Sequence, residues 1–193
     1  MFDGIEFRGY EHQTVETLGE YAGVPVWNGL TDSYHPTQIL ADFLTLKENF
    51  SYLEGLNLVY TGDGRNNMAN SLMIGSAIMG INYTVVAPQK LWPKKSLVEE
   101  CRELAQNSGA EIEITEKIDE GVKKADAIYT DVWVSMGEED KFEERIKLLK
   151  PYQVNMEMIN KTKNPDVIFM HCLPANHNLE TETSRKIYEQ YGI

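Results

Sequence analysis

A few short stretches of the sequence concentrate side chains that could do chemistry. "DVWVSMGEE", Asp131 to Glu139, follows an apolar run with a carboxylate and an indole, then supplies a hydroxyl, a thioether and a hinge in Ser135, Met136 and Gly137. Strands that merely pack do not end this way by default, and such a loop is equipped to hold a ligand. "GDGRNN" follows another apolar run, "HPTQ" opens a helical pattern with His35 and Gln38, and "HCLP" ends a further apolar run with the thiol of Cys172.

Each stretch also has an ordinary reading. An aspartate after a strand caps a helix or pairs with a backbone amide. His35 and Gln38 stand where capping would explain them. "GDGRNN" is not GxGxxG, so its glycines either cradle phosphate or simply make a tight strand-to-helix turn. A lone cysteine is most often a buried thiol, and that is the reading for Cys101 on its amphipathic helix. Met68, Met73 and Met79 read as core, and Trp27, Trp92 and Trp133 as packing residues at element ends.

Composition bounds the function. The 193 residues are 42% hydrophobic and 10% aromatic, enough for a substantial core and too apolar for a disordered chain. The formal net charge is −12, from 30 acidic and 18 basic residues, with no basic stripe. Nucleic acid and anionic membrane are therefore not expected as partners, and an anionic ligand would need a local site. The two cysteines show neither CxxC nor Cys/His spacing, which argues against a disulfide framework or structural zinc and fits a reducing, cytoplasmic setting. No run reaches the length of a membrane span, and "MFDGIEFRGY" has no leader pattern.

Elements must position these side chains. "GYEHQTVETLGEYAG" has helical spacing up to Gly23, and "VPVWNG" reads as a short strand closed by an Asn-Gly turn. "HPTQILADFLTLKENF" opens with Pro36, which a helix tolerates there, and sets Ile39, Leu40, Phe43, Leu44 and Leu46 on one broad face. From Gly55 onward strand and helix alternate. The strands are "LNLVYTG", "NYTVVAP", "EIEIT", "DAIYTDVW" and "DVIFMHCLP", with helices after each and another around "YQVNMEMINKT". This alternation predicts a doubly wound α/β fold, a parallel sheet with helices on both faces. Ligands of such sheets bind beyond the carboxyl ends of the strands, where "GDGRNN", "DVWVSMG" and "HCLP" would converge. A cleft is expected there, with Asn67, Asp131 and Cys172 at one edge.

"FRGY", "HPTQILADFLTLKE", "GDGRNNMANSLM", "DVWVSMGEE" and "HCLPANH" occur in the order and spacing of the ornithine carbamoyltransferases, which the chain resembles through essentially its whole length. The resemblance implies carbamoyl transfer from carbamoyl phosphate to L-ornithine, giving L-citrulline and phosphate without metal or organic cofactor. By motif, Asn67, Asp131, Ser135 and Met136 match the ornithine-binding set. Arg8, His35, Gln38, Cys172 and Leu173 match the carbamoyl-phosphate set, and Asp131, Cys172, Arg8 and His35 are the implied catalytic residues. Whether Asp131 or Cys172 takes the amine proton stays open.

The family pattern also includes a Ser-Thr-Arg-Thr phosphate loop and a further carboxyl-terminal segment, which this sequence lacks. The expectation is a fragment, truncated at both ends: residues 1–34 from the carbamoyl-phosphate domain, 35–50 as an inter-domain helix, and 51–193 as the ornithine-binding domain. It should fold but not catalyse usefully, whereas the full-length enzyme would be a homotrimer or a multiple of trimers. Alternatives are a putrescine or other amine carbamoyltransferase and a non-catalytic binding module. A nicotinamide enzyme is disfavoured, because the turn lacks its third glycine and no acidic residue closes "VVAPQ".

Overall fold

The computed structural model describes residues 2–134, 141–175 and 178–192. Two parallel sheets organise them. The smaller pairs β1 (Ile5–Arg8) with β2 (Val26–Leu30), joined through α1 (His12–Tyr21). The larger holds β3 (Asn57–Thr61), β4 (Asn82–Val86), β5 (Ile112–Thr115), β6 (Ala127–Thr130) and β7 (Ile168–His171) in the order β5-β4-β3-β6-β7. Every pairing in it is parallel, as the alternation predicts.

Helices cover both faces of the larger sheet. On one side α2 (Pro36–Phe50), α3 (Asn67–Met79) and α4 (Lys95–Ser108) pack on Leu58, Tyr60, Tyr83, Val85 and Tyr129. On the other, α5 (Ile118–Gly121) and α7 (Met156–Lys161) lie in a smaller core around Val59, Val86, Ile128 and Met158. Strand neighbours such as Leu58 and Val59 are thus both buried, on opposite faces, which is why these strands read as continuous apolar runs. The remaining helices are α6 (Phe142–Leu149) and α8 (Glu182–Tyr191). No helix among the described residues is long and apolar enough to cross a membrane.

Four expectations are corrected. The Asn-Gly pair does not turn: β2 runs through Asn28 and Gly29 because it pairs with β1, and a Cβ on Gly29 would lie 2.4 Å from Glu6 Oε1 and 3.0 Å from the Phe7 carbonyl oxygen. The broad face of α2 is narrower than its apolar pattern. Ile39, Phe43 and Leu46 are buried, while Leu40 and Leu44 are 69% and 57% exposed, since α3 covers only one side of the helix. Met68 and Met73 are core, but Met79 at the end of α3 is exposed, and Trp27 within β2 is also largely exposed. The approach of α2 to α3 depends on Gly75, where a Cβ would sit 2.6 Å from Ile39 Cδ1 and 2.8 Å from Phe43 Cε2.

Candidate active site

The sheet reverses its order between β3 and β6. The chain runs outward from β3 through β4 to β5, then returns to place β6 on the other side of β3. The crevice at such a switch point, beyond the carboxyl ends, is where open α/β sheets bind ligands. Asp131 leaves β6 there and Cys172 leaves β7 beside it. The Cys172 thiol donates to Asp131 Oδ1 at 3.0 Å, and the same oxygen accepts the Val132 backbone N–H at 2.7 Å. Asp131 Oδ2 accepts Asn66 Nδ2 at 3.1 Å.

Asn66 and His171 complete this arrangement, and reading the sequence did not single them out. Asn66 caps α3, accepting the Ala69 N–H at 2.8 Å, and also donates to the Tyr60 hydroxyl at 2.7 Å. Its signal was present as an asparagine at the N-terminus of a predicted helix. The His171 ring hydrogen-bonds the Cys172 carbonyl, and its position in "HCLP" was the only clue. One ligand-capable atom each from Asp131, His171 and Cys172 lies within 4.8 Å of the others.

The other predicted residues approach from the first third of the chain. His35 occupies the N-cap position of α2, but its side chain makes no capping bond, so the simple capping reading does not hold. Its backbone N–H donates to Ser71 Oγ at 2.8 Å, tying the start of α2 to α3. Burial lowers the His35 pKa, the positive Arg8 lowers it further, and Asp131 and Glu6 partly oppose this. The imidazole therefore lies in the fields of both Arg8 and Asp131, and its neutral form is favoured. Arg8 is exposed at the end of β1. Gln38 turns its Nε2 to Asp42 Oδ1 at 3.0 Å. Leu173 is exposed. Asn67 stands at the same sheet edge, and its Nδ2 donates to the Thr31 carbonyl at 2.8 Å, joining α3 to the loop after β2. Ser135 and Met136 lie outside the described residues.

Electrostatics decides the form of the thiol. Burial raises the Cys172 pKa, and the negative charge of Asp131 and the hydrogen bond it accepts raise it further. Cys172 is a thiol at neutral pH, so its role here is hydrogen-bond donor rather than thiolate. "GDGRNN" is likewise not an open anion cradle, because it carries its own anion. The buried Asp63 carboxylate accepts Arg65 Nε at 3.0 Å and Arg65 Nη2 at 2.8 Å, with Arg145 Nη1 at 3.2 Å. A cavity of about 110 Å³ bordered by Asn57, Asn82, Glu111 and Glu113 opens at the amino ends of β3 and β4. Its acidic lining and its position at the wrong edge leave the carboxyl-edge cluster as the candidate site.

Fold and cluster together define a doubly wound α/β domain with a candidate site at its switch point. Comparison with known proteins narrows this further. Residues 54–190 match the Asp/Orn binding domain of the aspartate/ornithine carbamoyltransferases, and residues 1–48 match their carbamoyl-P binding domain. The chain is 61% identical over 193 residues to the catabolic ornithine carbamoyltransferase of Streptococcus ratti, covering all of this chain and 57% of that protein. It is 58% identical over 195 residues to that of Enterococcus faecalis, covering 58% of it. The structure of the ornithine carbamoyltransferase from Pyrococcus furiosus superposes with a TM-score of 0.86 at 44% identity, over 92% of this chain and 56% of that one. The chain belongs to the aspartate/ornithine carbamoyltransferase family, and it spans a little over half the length of these curated relatives.

Proposed function

We propose that this chain provides the ornithine site and part of the carbamoyl-phosphate site of an enzyme that transfers a carbamoyl group to L-ornithine, forming L-citrulline and phosphate. The observation that carries the reading is the Cys172–Asp131 contact of 3.0 Å at the switch point, with His35 in the field of both Arg8 and Asp131. Residues 1–34 would belong to the carbamoyl-phosphate domain, 35–50 to the helix between domains, and 51–193 to the ornithine domain. The complete enzyme would be a cytoplasmic homotrimer or a multiple of trimers.

In this reading Arg8 and His35 face the carbamoyl carbonyl, where negative charge develops during attack, and a neutral imidazole donates its N–H to that oxygen. Gln38 and the backbone carbonyls of Cys172 and Leu173 orient the carbamoyl amide. Asn67, Asp131, Ser135 and Met136 hold ornithine. The amine of ornithine resembles that of lysine, with a pKa of about 10, so roughly one molecule in a thousand is a neutral nucleophile near pH 7. The nitrogen of the neutral amine attacks the carbamoyl carbon, the carbon–oxygen bond to phosphate breaks with its electron pair going to the phosphate, and the proton lost from nitrogen passes to that departing phosphate. Because Cys172 is held as a thiol, Asp131 is the group assigned to accept a hydrogen bond from the amine and fix its direction of attack.

The test is citrulline formation by this chain and by the chain extended to the length of its relatives, with putrescine as the competing acceptor. Citrulline from the extended chain supports the reading. Preference for putrescine, or no product from the extended chain, overturns it.

A further inference from the structure

The first turns of α3 carry more polar side chains than the reading above uses. Most of this helix is core, with Met68, Ala69, Leu72, Met73 and Ala77 all buried. Yet Asn67, Asn70 and Ser71 recur at the spacing i, i+3, i+4, which sets them on one face. Serine is a modest helix former because its hydroxyl competes for backbone groups. A serine only 3% exposed within a helix therefore calls for a polar partner.

That partner lies in the loop between β2 and α2. All three side chains bond its backbone: Asn67 Nδ2 donates to the Thr31 carbonyl at 2.8 Å, Asn70 Nδ2 donates to the Ser33 carbonyl at 3.1 Å, and Ser71 Oγ accepts the His35 N–H at 2.8 Å. The loop is also closed on itself. The Thr31 N–H donates to the Tyr34 carbonyl at 2.8 Å, and the Tyr34 N–H donates to Thr31 Oγ1 at 3.2 Å. It is a compact turn held from outside by one face of α3. Gly75 stands one turn beyond Ser71 on that face, and the absence of a Cβ there is what lets α2 come close.

Of the three contacts, the one to His35 bears on the chemistry. The backbone N–H of an N-cap residue has no partner within its own helix. His35 occupies that position in α2, with φ −137° and ψ 65°, so helical geometry does not set its backbone. Ser71 supplies the missing partner, and so fixes the point from which the imidazole projects and α2, with Gln38, begins. The contact joins two parts of the chain that match different domains. His35 lies within the residues matching the carbamoyl-P binding domain, and Ser71 within those matching the Asp/Orn binding domain.

We propose that Ser71 is a positioning residue of the carbamoyl site: from the part of the chain that matches the Asp/Orn binding domain, its hydroxyl oxygen holds the His35 backbone and, through it, the imidazole that faces the carbamoyl carbonyl. Ser71 itself touches no substrate. Its leverage comes from geometry, because a polarising group displaced by a fraction of an ångström to an ångström loses much of its effect. The consequence for substrate rests on the carbamoyl-phosphate reading above, whereas the hold on His35 does not.

Two measurements test the two parts, with a second serine of α3 as the control. Ser76 is also fully buried, but its Oγ makes no hydrogen bond among the described residues. Amide hydrogen exchange of this chain, followed residue by residue by NMR, should show the His35 N–H exchanging about tenfold faster in Ser71→Ala, with the amides of β3 unchanged. Ser76→Ala should leave the His35 rate as it is. An unchanged His35 rate in Ser71→Ala, or an equal change in Ser76→Ala, overturns the proposal. In the chain extended to the length of its relatives, Ser71→Ala should raise KM for carbamoyl phosphate about tenfold and leave KM for ornithine within about twofold, while Ser76→Ala changes neither. Equal changes in the two KM values, or none, would show that Ser71 does not position the carbamoyl site. If the extended wild-type chain forms no citrulline, the proposed function fails, and the exchange rates still decide whether Ser71 holds His35.

Discussion

Strand β6 carries an aspartate immediately before it and another immediately after it, and the two do different work. Asp126, at the amino edge, accepts the backbone N–H of Asn57 at 2.8 Å and Asn57 Nδ2 at 3.0 Å. Its own backbone bonds to Asn57 on one side and Ile168 on the other. It stitches three neighbouring strands through groups that do no chemistry. Asp131, at the carboxyl edge, gathers a thiol, a capping amide and one backbone N–H, and it acts electrostatically on His35. Close to it, Tyr129 and Asp42 keep buried atoms without partners. A carboxylate whose partners are mostly strand backbone and amides is a fastener. One whose partners are reactive side chains, next to unsatisfied atoms, marks the working edge.

The comparison can be broken at either end. The largest effect is expected from Asp131→Asn in the chain extended to the length of its relatives. Loss of the charge facing the amine should reduce kcat/KM for ornithine by roughly a hundredfold while carbamoyl-phosphate binding changes little. Equal damage to both substrates would mean that Asp131 is as structural as Asp126. The mirror experiment is Asp126→Ala, which leaves the Asn57 N–H and side-chain amide unpaired and should cost about 2 kcal/mol in urea unfolding. The same variant should leave ligand binding by the folded protein intact. A stability close to wild type would show that the amino-edge network is not a fastener.

A smaller effect sharpens the chemistry of the carboxyl edge. Burial pushes the Cys101 thiol up to about 11, and Cys172 is raised by burial and by Asp131. Both should resist alkylation by iodoacetamide near pH 8. Asp131→Asn removes the charge that disfavours the Cys172 thiolate, so Cys172 should react several-fold faster and Cys101 at an unchanged rate, as followed by mass spectrometry. Unchanged reactivity at Cys172 would show that burial alone protects it.

The smallest expected effect is a slope. Asp42 binds its proton more tightly in the folded state than in the unfolded chain, so its contribution to stability is complete below the ordinary carboxyl range. That contribution declines as pH rises through and above that range, until the folded carboxyl itself ionises. Asp42→Asn does not titrate. Urea unfolding at increasing pH should therefore show wild type losing ground to the variant as pH rises through and above the ordinary carboxyl range. A constant difference between the two would mean that Asp42 titrates normally.

Much of this molecule was legible in its sequence, because apolar patterning reports which faces are buried. Runs such as "LNLVYTG" and "DAIYTDVW" are apolar on both pleat faces, and that is diagnostic of strands with a helix layer on each side. Since parallel strands all point one way, the residues that follow them share an edge. The convergence of Asn67, Asp131 and Cys172 therefore followed from topology alone. Patterning misled where a second element intervened. Asn28-Gly29 became strand because β1 lies beside it, and Leu40 and Leu44 stayed exposed because α3 covers one side of α2 only.

The sequence by itself determined the class of fold, the order of the larger sheet's strands along the chain, the edge that carries the chemistry and the motifs found there. Tertiary structure decided which polar atoms meet. Cys172 and Asp131 are 41 residues apart, and Asn66 and Asp131 are 65 apart. Asp42 reads in sequence as one more polar residue on a helix, and Tyr129 as one more aromatic in a strand. Periodicity fixes the direction a side chain takes from its own element. What waits at the other end, and therefore whether a buried carboxyl is charged or neutral, depends on strands and helices brought together only in three dimensions.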